Sequence, residues 1–314
     1  MYPYWDTITE PLLTLLQPEV IVEIGSERGK STHLLLAFCQ EHDAVLHAID
    51  PAPKFDVAAW QSVHGERFIF HETMSLEALP HIDRYDAVFI DGDHNWFTVF
   101  HELKMIEAQC AAHDFAFPLV LLHDIAWPYG RRDLYYNPEA IPDDFRQPYA
   151  RQGIRPGDSG LQERGGHMPT LCHAATEGTP HNGVRTAVED FLEQTTLALD
   201  FVTVPGFHGL GLLFPRSLRT AHPALHETLD AWTLPSLLHR YVERLEAVRV
   251  NLAIQKTEQA RALQSSQARL ARMAERIQAL TNNLQSLRAE LERLRQENNA
   301  PDEPAETAGP NAAT

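Results

Sequence analysis

Little in this 314-residue chain is available for cross-linking: its three cysteines, Cys39, Cys110 and Cys172, show neither paired nor metal-type spacing. That excludes a disulfide scaffold and a cysteine-based zinc site. Basic residues are also scarce, 26 Lys and Arg against 43 Asp and Glu, for a formal net charge of −17. Such a surface repels polyanions, so partners drawn from nucleic acid or anionic membrane are not expected. No apolar run approaches the length of a membrane span. The opening residues, Met1-Tyr2-Pro3-Tyr4-Trp5-Asp6, lack a basic region followed by an apolar one. An odd number of thiols without a signal sequence fits a reducing, cytoplasmic location. What is present is enough apolar material, 44% of residues, for a sizeable core, in one large domain with an appendage or in two domains.

Strand and helix signals alternate through the first 125 residues. After a short amphipathic helix over 5–17, strands are predicted near 20–25, 45–50, 67–71, 86–91 and 117–123. Helices are predicted near 30–42, 56–64 and 95–111. Such alternation implies a parallel sheet covered by helices on both faces. Residues 125–183 break the pattern, being rich in Pro, Gly, Arg, His and Tyr with little periodicity, which reads as an acceptor-binding insert or lid. A helix over 184–195 and two strands, 201–204 and 210–214, follow.

The last third has a different period. Leu263, Leu270, Ile277, Leu284 and Leu291 recur every seven residues, and Met273, Leu280, Leu287 and Leu294 recur on the interleaved register. This narrow seam predicts a coiled coil over 263–296 that joins copies of the chain, with 219–262 as a helical connector. A long helix packed on its own domain is the plainer alternative. Residues 297–314 are polar and contain proline, and are expected to be disordered.

The stretch Val22-Glu23-Ile24-Gly25-Ser26-Glu27-Arg28-Gly29-Lys30-Ser31-Thr32 is a strand, a glycine turn and a helix start. Glycines there let backbone N–H groups approach a ligand. A phosphate-binding P-loop needs four residues before its Gly-Lys-Ser, but only Ser26, Glu27 and Arg28 separate the two glycines. Glu23 and Glu27 would also bring negative charge towards a triphosphate. A dinucleotide fingerprint needs glycine at position 27. The pattern E-x-G-x-x-x-G is left, and it resembles motif I of class I S-adenosylmethionine (SAM) methyltransferases. There the loop curls around a cationic sulfonium, beside which a carboxylate is tolerated.

Asp50 ends the second predicted strand, where an acid can accept from a ribose diol; a helix cap or solvated turn is the alternative. Met74 and Ser75 follow the third strand, where an adenine would lie, although Ser75 also suits a helix N-cap. Phe89-Ile90-Asp91-Gly92-Asp93-His94 and Leu121-Leu122-His123-Asp124 end the fourth and fifth strands, at the edge where open α/β sheets bind ligands. Asp91, His123 and Asp124 can converge there on Mg2+, Mn2+ or, as the lesser alternative, a softer metal, and His94 can take a hydroxyl proton. Helix capping by Asp93 and His94 and a satisfied strand-end His123 are the ordinary alternatives. In the insert, Trp127, Tyr129, Tyr135 and Tyr136 offer flat faces to an acceptor, and Arg131 and Arg132 offer donors. His167, His173 and His181 have no metal-type spacing and read as loop residues.

Together these motifs resemble the metal-dependent sugar O-methyltransferases of the macrolide-glycoside and rhamnosyl type, with the related cephalosporin-hydroxylase-named family, over roughly residues 18–216. The resemblance implies an α/β, Rossmann-like, seven-stranded domain over 1–218 with its last strand antiparallel. It implies SAM held by Glu23, Gly25, Ser26, Gly29, Asp50, Met74 and Ser75, a metal on Asp91, His123 and Asp124, and His94 as base. His123 departs from the family, which has an acid there. Catechol-type relatives offer a lysine as base, and no lysine matches His94. The expected function is metal-assisted methyl transfer from SAM to a hydroxyl of a carbohydrate or glycosylated acceptor, so the expected partner is a small-molecule or glycan acceptor. Two readings from other classes stand beside it: a nucleotide-dependent phosphotransferase using Gly29-Lys30-Ser31, and a non-catalytic coiled-coil scaffold.

Overall fold

The computed structural model describes residues 1–221 and 223–298. The chain divides into two units, Met1–Gln255 and Lys256–Thr314. In the first, α1 (Glu10–Leu16) precedes β1 (Val20–Ile24), α2 (Lys30–His42), β2 (Val45–Ile49), α3 (Val57–His64), β3 (Phe68–His71), α4 (Ser75–Ala78), β4 (Ala87–Ile90), α5 (Trp96–His113) and β5 (Leu119–His123). The insert contributes β6 (Leu134–Tyr135), β7 (Tyr149–Arg151) and β8 (Cys172–Ala174). After it come α6 (Val184–Gln194), β9 (Leu199–Val204), β10 (Leu210–Pro215), α7 (Arg216–Ala221) and α8 (Pro223–Ala231).

Seven strands form one sheet in the order β3-β2-β1-β4-β5-β10-β9. The first five pair in parallel, and β10 runs antiparallel between β5 and β9. Each inner strand is apolar on both faces, so its period-two alternation selects a layer and not an inside or outside. Val22, Val88, Ile90, Val120 and Leu122 meet Val99, Leu103 and Ile106 of α5 and Val188 and Phe191 of α6. Ile21, Phe89, Leu119, Leu121 and Leu212 meet Leu12, Leu13, Leu35, Leu36 and Cys39 on the other face. The strand order reverses where β1 is flanked by β2 and β4, so the carboxyl ends of β1 and β4 bound a natural crevice.

Three features differ from the sequence expectation. The 5–17 helix is a π-helical turn over Trp5–Thr9 followed by α1. The insert is not wholly irregular, since β6, β8 and β7 form a small antiparallel sheet. Strands of two or three residues are too short for periodicity to register. And 219–262 is not one helical connector. It holds α7, α8 and then α9 (Ser236–Asn298), which runs unbroken through the predicted 262/263 boundary. The expected disordered tail begins at residue 297, still in that helix; 299–314 lie outside the described residues.

The insert is pinned to the main sheet by Asp133. Its buried carboxylate accepts from Trp96 N at 2.7 Å, Gly183 N at 2.7 Å and the Tyr135 hydroxyl at 2.8 Å. Leu134 N donates to His94 O at 2.9 Å, so the insert and the 94–96 turn share one network. Asp133→Ala strands three buried donors and is expected to destabilise the fold by about 3 kcal/mol or more. Urea unfolding measures this, and a loss below about 1 kcal/mol would show that Asp133 is no pin.

In the second unit α9 continues to Asn298. Leu263, Leu270, Ile277, Leu284, Leu291, Met273, Leu280, Leu287 and Leu294 are each at least half exposed along it. No helix among the described residues is long and apolar enough to cross a membrane.

Candidate active site at the strand tips

A cavity of about 830 Å³ lies over the carboxyl ends of β1, β2, β4 and β5. At one end it is lined by Gly25, Ser26, Asp50, Met74 and Ser75, and at the other by Asp91, His94, His123, Asp124 and Tyr136. The two residue groups singled out in the sequence therefore face one space.

The first end is organised by Asp50. One of its oxygens accepts from Ser26 N at 3.0 Å and Glu27 N at 2.7 Å, and the other from Ala52 N at 2.8 Å. A carboxylate holding backbone amides fixes the turn after β1 as a rigid cup. Gly25, at φ +89°, is glycine because β1 and β4 nearly touch there: a Cβ would stand 2.4 Å from Asp91 O and 2.5 Å from Gly92 Cα. Gly29, at φ +72°, is glycine because Trp60 covers it, with a Cβ 2.5 Å from the ring. Packing requires glycine at both positions; Gly25 lines the cavity, and Gly29 is not in its wall. Ser75 is the first residue of α4, not its N-cap, and its hydroxyl donates to the buried Glu102 at 2.5 Å.

Glu23 is likewise outside the wall. Period-two alternation turns it to the face shared with Ile21, where it is 1% exposed. One oxygen accepts from Thr32 Oγ1 at 2.6 Å, and the other has no partner. Burial pushes its pKa up to about 8, against the lowering effect of the Thr32 bond. A carboxyl that keeps its proton in the fold and loses it in the unfolded chain stabilises most below its unfolded pKa. That contribution falls as pH rises and is gone above about 8. Glu23→Gln, neutral at every pH, is expected to gain thermal stability relative to the parent between pH 6 and pH 9. A difference in melting temperature that stays flat across that range would contradict a buried neutral Glu23.

The second end is a ring of four side chains whose donor atoms all lie within 4.8 Å of one another. His123 Nδ1 is 3.0 Å from Asp91 Oδ1 and 3.0 Å from Asp124 Oδ2. His94 Nε2 is 2.7 Å from Asp124 Oδ2 and 3.6 Å from Asp91 Oδ1. The Met1 ammonium donates to Asp91 Oδ2 at 2.6 Å. Burial acts to raise the two carboxyls, but the adjacent imidazoles hold Asp91 and Asp124 well below the usual carboxylate range. Burial acts to lower the imidazoles, yet the two carboxylates raise both His94 and His123 to about 10. Such a set of two nitrogen and two oxygen donors suits a divalent ion. His94 Nδ1 is buried without a partner, and the ring packs 5.2 Å from that of Tyr129.

The insert supplies part of the wall, though not all the residues expected of it. Tyr129, Tyr136, His167, Met168 and Leu171 line the cavity. Tyr135 instead serves Asp133, and Trp127 stays outside the wall. Arg131 pairs with Glu189, and Arg132 is fully buried, donating to Ala174 O and Ser159 O. Neither arginine is a donor for an acceptor. His167 read as an ordinary loop residue, and only the fold of the insert places it at the cavity. Tyr4, Phe207 and His208 also escaped the sequence reading. Tyr4 sets its ring edge against His123 and its hydroxyl on Gly206 O and Phe207 O.

Residues 22–125 match a family model described as a methyltransferase domain. No curated protein matches the chain. Among solved structures, the chain is similar to SAH-bound methyltransferase PaMTH1 of Podospora anserina, with 17% identity, 66% of this chain and 77% of that one covered, and a TM-score of 0.40. It is also similar to a Burkholderia thailandensis 1,6-didemethyltoxoflavin-N1-methyltransferase, at 17% identity, 65% and 75% coverage and a TM-score of 0.36. A third is human N-acetylserotonin methyltransferase in complex with SAM, at 13% identity, 68% and 53% coverage and a TM-score of 0.35.

Proposed function

We propose that this chain, a SAM-dependent methyltransferase, moves a methyl group to a hydroxyl oxygen of a carbohydrate or glycosylated acceptor with the help of a divalent ion. The observation that carries this is the shared cavity. It joins a cup at Gly25, Ser26 and Asp50 to a ring at Asp91, His94, His123 and Asp124 whose donor atoms lie close enough together to hold one cation. Asp50 keeps an unused lone pair on its Oδ1 side for a ribose diol. Met74 lies over the adenine position. Transfer from a sulfonium asks little covalent chemistry of the protein: donor and acceptor are positioned, and one proton is removed.

His94 is the proposed base. Asp91, His123 and Asp124 would hold the ion, which lowers the pKa of a bound hydroxyl and offsets the carboxylate charge that otherwise keeps His94 protonated. Tyr129 and Tyr136 line the cavity and would pack against the acceptor. Calorimetry tests the donor: S-adenosylhomocysteine (SAH) is expected to bind and ATP is not, and the reverse would favour phosphoryl transfer. A panel of glycosides and catechols tests the acceptor, and methylation of catechols alone would remove the carbohydrate assignment. The cytoplasm is the proposed compartment, in keeping with three buried, unpaired thiols.

The exposed heptad seam of α9 is proposed to pair with a second copy of the chain. Ile277→Glu with Leu284→Glu puts charges into that seam. The doubly substituted full chain is expected to sediment as a monomer where the parent does not. Equal sedimentation of the two would show that the seam is not the assembly element.

A further inference from the structure

We infer that the ion held at the strand tips is a first-row transition dication, with Co2+ and Zn2+ preferred over Mg2+, and that His123 sets the preference. This rests on the metal-assisted reading above and goes beyond it in naming the class of ion. Asp91 Oδ1 and Asp124 Oδ2 each stand 3.0 Å from His123 Nδ1. Donor atoms bound to one small dication at ~2.0–2.2 Å stand ~3.0–3.5 Å apart, so the two separations that meet at His123 are already near a coordinating spacing. One of its three donors is an imidazole nitrogen. Mg2+ takes oxygen ligands and dehydrates reluctantly, whereas imidazole suits the later first-row ions.

His123 is also prepared from behind. Its Nε2 lies 2.9 Å from Phe207 O. A carbonyl only accepts, so Nε2 carries a proton; the carboxylates that face Nδ1 also only accept, so a bound ion would take the place of the Nδ1 proton and meet its lone pair beside Asp91 and Asp124. The Nε2 bond is the tautomer-fixing contact that metal-bound histidines make.

The carbonyl is held in place at a cost. Phe207 and His208 adopt φ of +45° and +73°, the left-handed region that side chains avoid. Strained backbone of this kind persists only where its surroundings over-determine it. They do so here: the Tyr4 hydroxyl donates to Gly206 O and Phe207 O, and His208 N donates to Glu246 Oε1 at 3.0 Å. A Cβ on Gly209 would meet Ala126 at 2.8 Å. What this braced loop delivers to the site is one carbonyl at the back of one imidazole.

The test uses the full chain, stripped of metal with a chelator and titrated with Co2+, Zn2+ or Mg2+. Co2+ is expected to bind one per chain, on the order of 100-fold tighter than Mg2+, and to give a visible d–d band. His123→Asp makes the triad all-oxygen. It is expected to weaken Co2+ by about 10- to 100-fold, shift the band and tighten Mg2+. Should His123→Asp fail to fold, Tyr4→Phe replaces it: loosening the Phe207 carbonyl is expected to weaken Co2+ by about 10-fold and leave Mg2+ unchanged. Equal affinity for Mg2+ and Co2+, or a Co2+ band unmoved in His123→Asp, overturns the inference. If no dication binds while SAH does, the inference falls with the metal and methyl transfer stands. If Co2+ binds tightly while SAH does not, the inference holds and the cofactor assignment falls.

Discussion

Asp124→Asn is expected to lower kcat by about 10³-fold while leaving the affinity for SAH within about twofold of the parent. The substitution is nearly isosteric, and asparagine tolerates the φ of +58° that this residue adopts, so the fold should survive. What disappears is charge at the oxygen that lies within 3.0 Å of both imidazoles. Asp124 Oδ2 is 2.7 Å from His94 Nε2 and 3.0 Å from His123 Nδ1. An amide in its place removes an anionic metal ligand and the group that orients the base, two effects that act on the transition state more than on the bound donor. Asp50, at the far end of the cavity, keeps its three amide hydrogen bonds. Steady-state kinetics on the acceptor and calorimetry with SAH separate the two ends. A variant with near-parental kcat would mean that Asp124 serves the fold alone. A variant that also loses SAH would mean that the two ends do not work as separate sites.

Much of this architecture was legible because its signals are local. Val20 to Ile24, Ala87 to Ile90 and Leu119 to His123 are short, mainly apolar runs, and each is a strand of the main sheet, with the expected antiparallel strand inserted before the last one. Strand ends of a parallel sheet gather on one edge, so the approach of Asp91 to His123 follows from topology across a sequence separation of 32. Other features depend on information that no local pattern carries. Glu23 looked like a cavity residue because it precedes the glycine turn, but strand alternation turns it towards Thr32. Arg131 and Arg132 looked like free donors because charge in an irregular stretch is usually solvated. The small sheet of the insert buries one of them, and α6 neutralises the other. The Phe207 carbonyl is invisible in sequence, because a backbone oxygen has no residue type.

Gly25→Ala is expected to abolish measurable SAH binding and to cost about 2–4 kcal/mol of stability. The methyl group would lie 2.4 Å from Asp91 O, 2.5 Å from Gly92 Cα and 2.6 Å from Asp91 C. All three are backbone atoms at the end of β4, which cannot rotate aside as a side chain does. The strand tip must therefore move, taking Asp91 with it, and the adjoining Ser26 and Glu27 amides must leave Asp50. Two other glycines with positive φ separate this clash from the general cost of that conformation. Gly65→Ala, at φ +59°, meets nothing within 4 Å, so it reports backbone strain alone, about 1 kcal/mol. Gly29→Ala, at φ +72°, adds contact with the movable Trp60 ring. The expected order of SAH affinity is parent and Gly65→Ala together, Gly29→Ala next, and Gly25→Ala last. If Gly25→Ala binds SAH as Gly65→Ala does, the close approach of the β1 and β4 ends is not what shapes the cup, and the donor must be held elsewhere in the cavity.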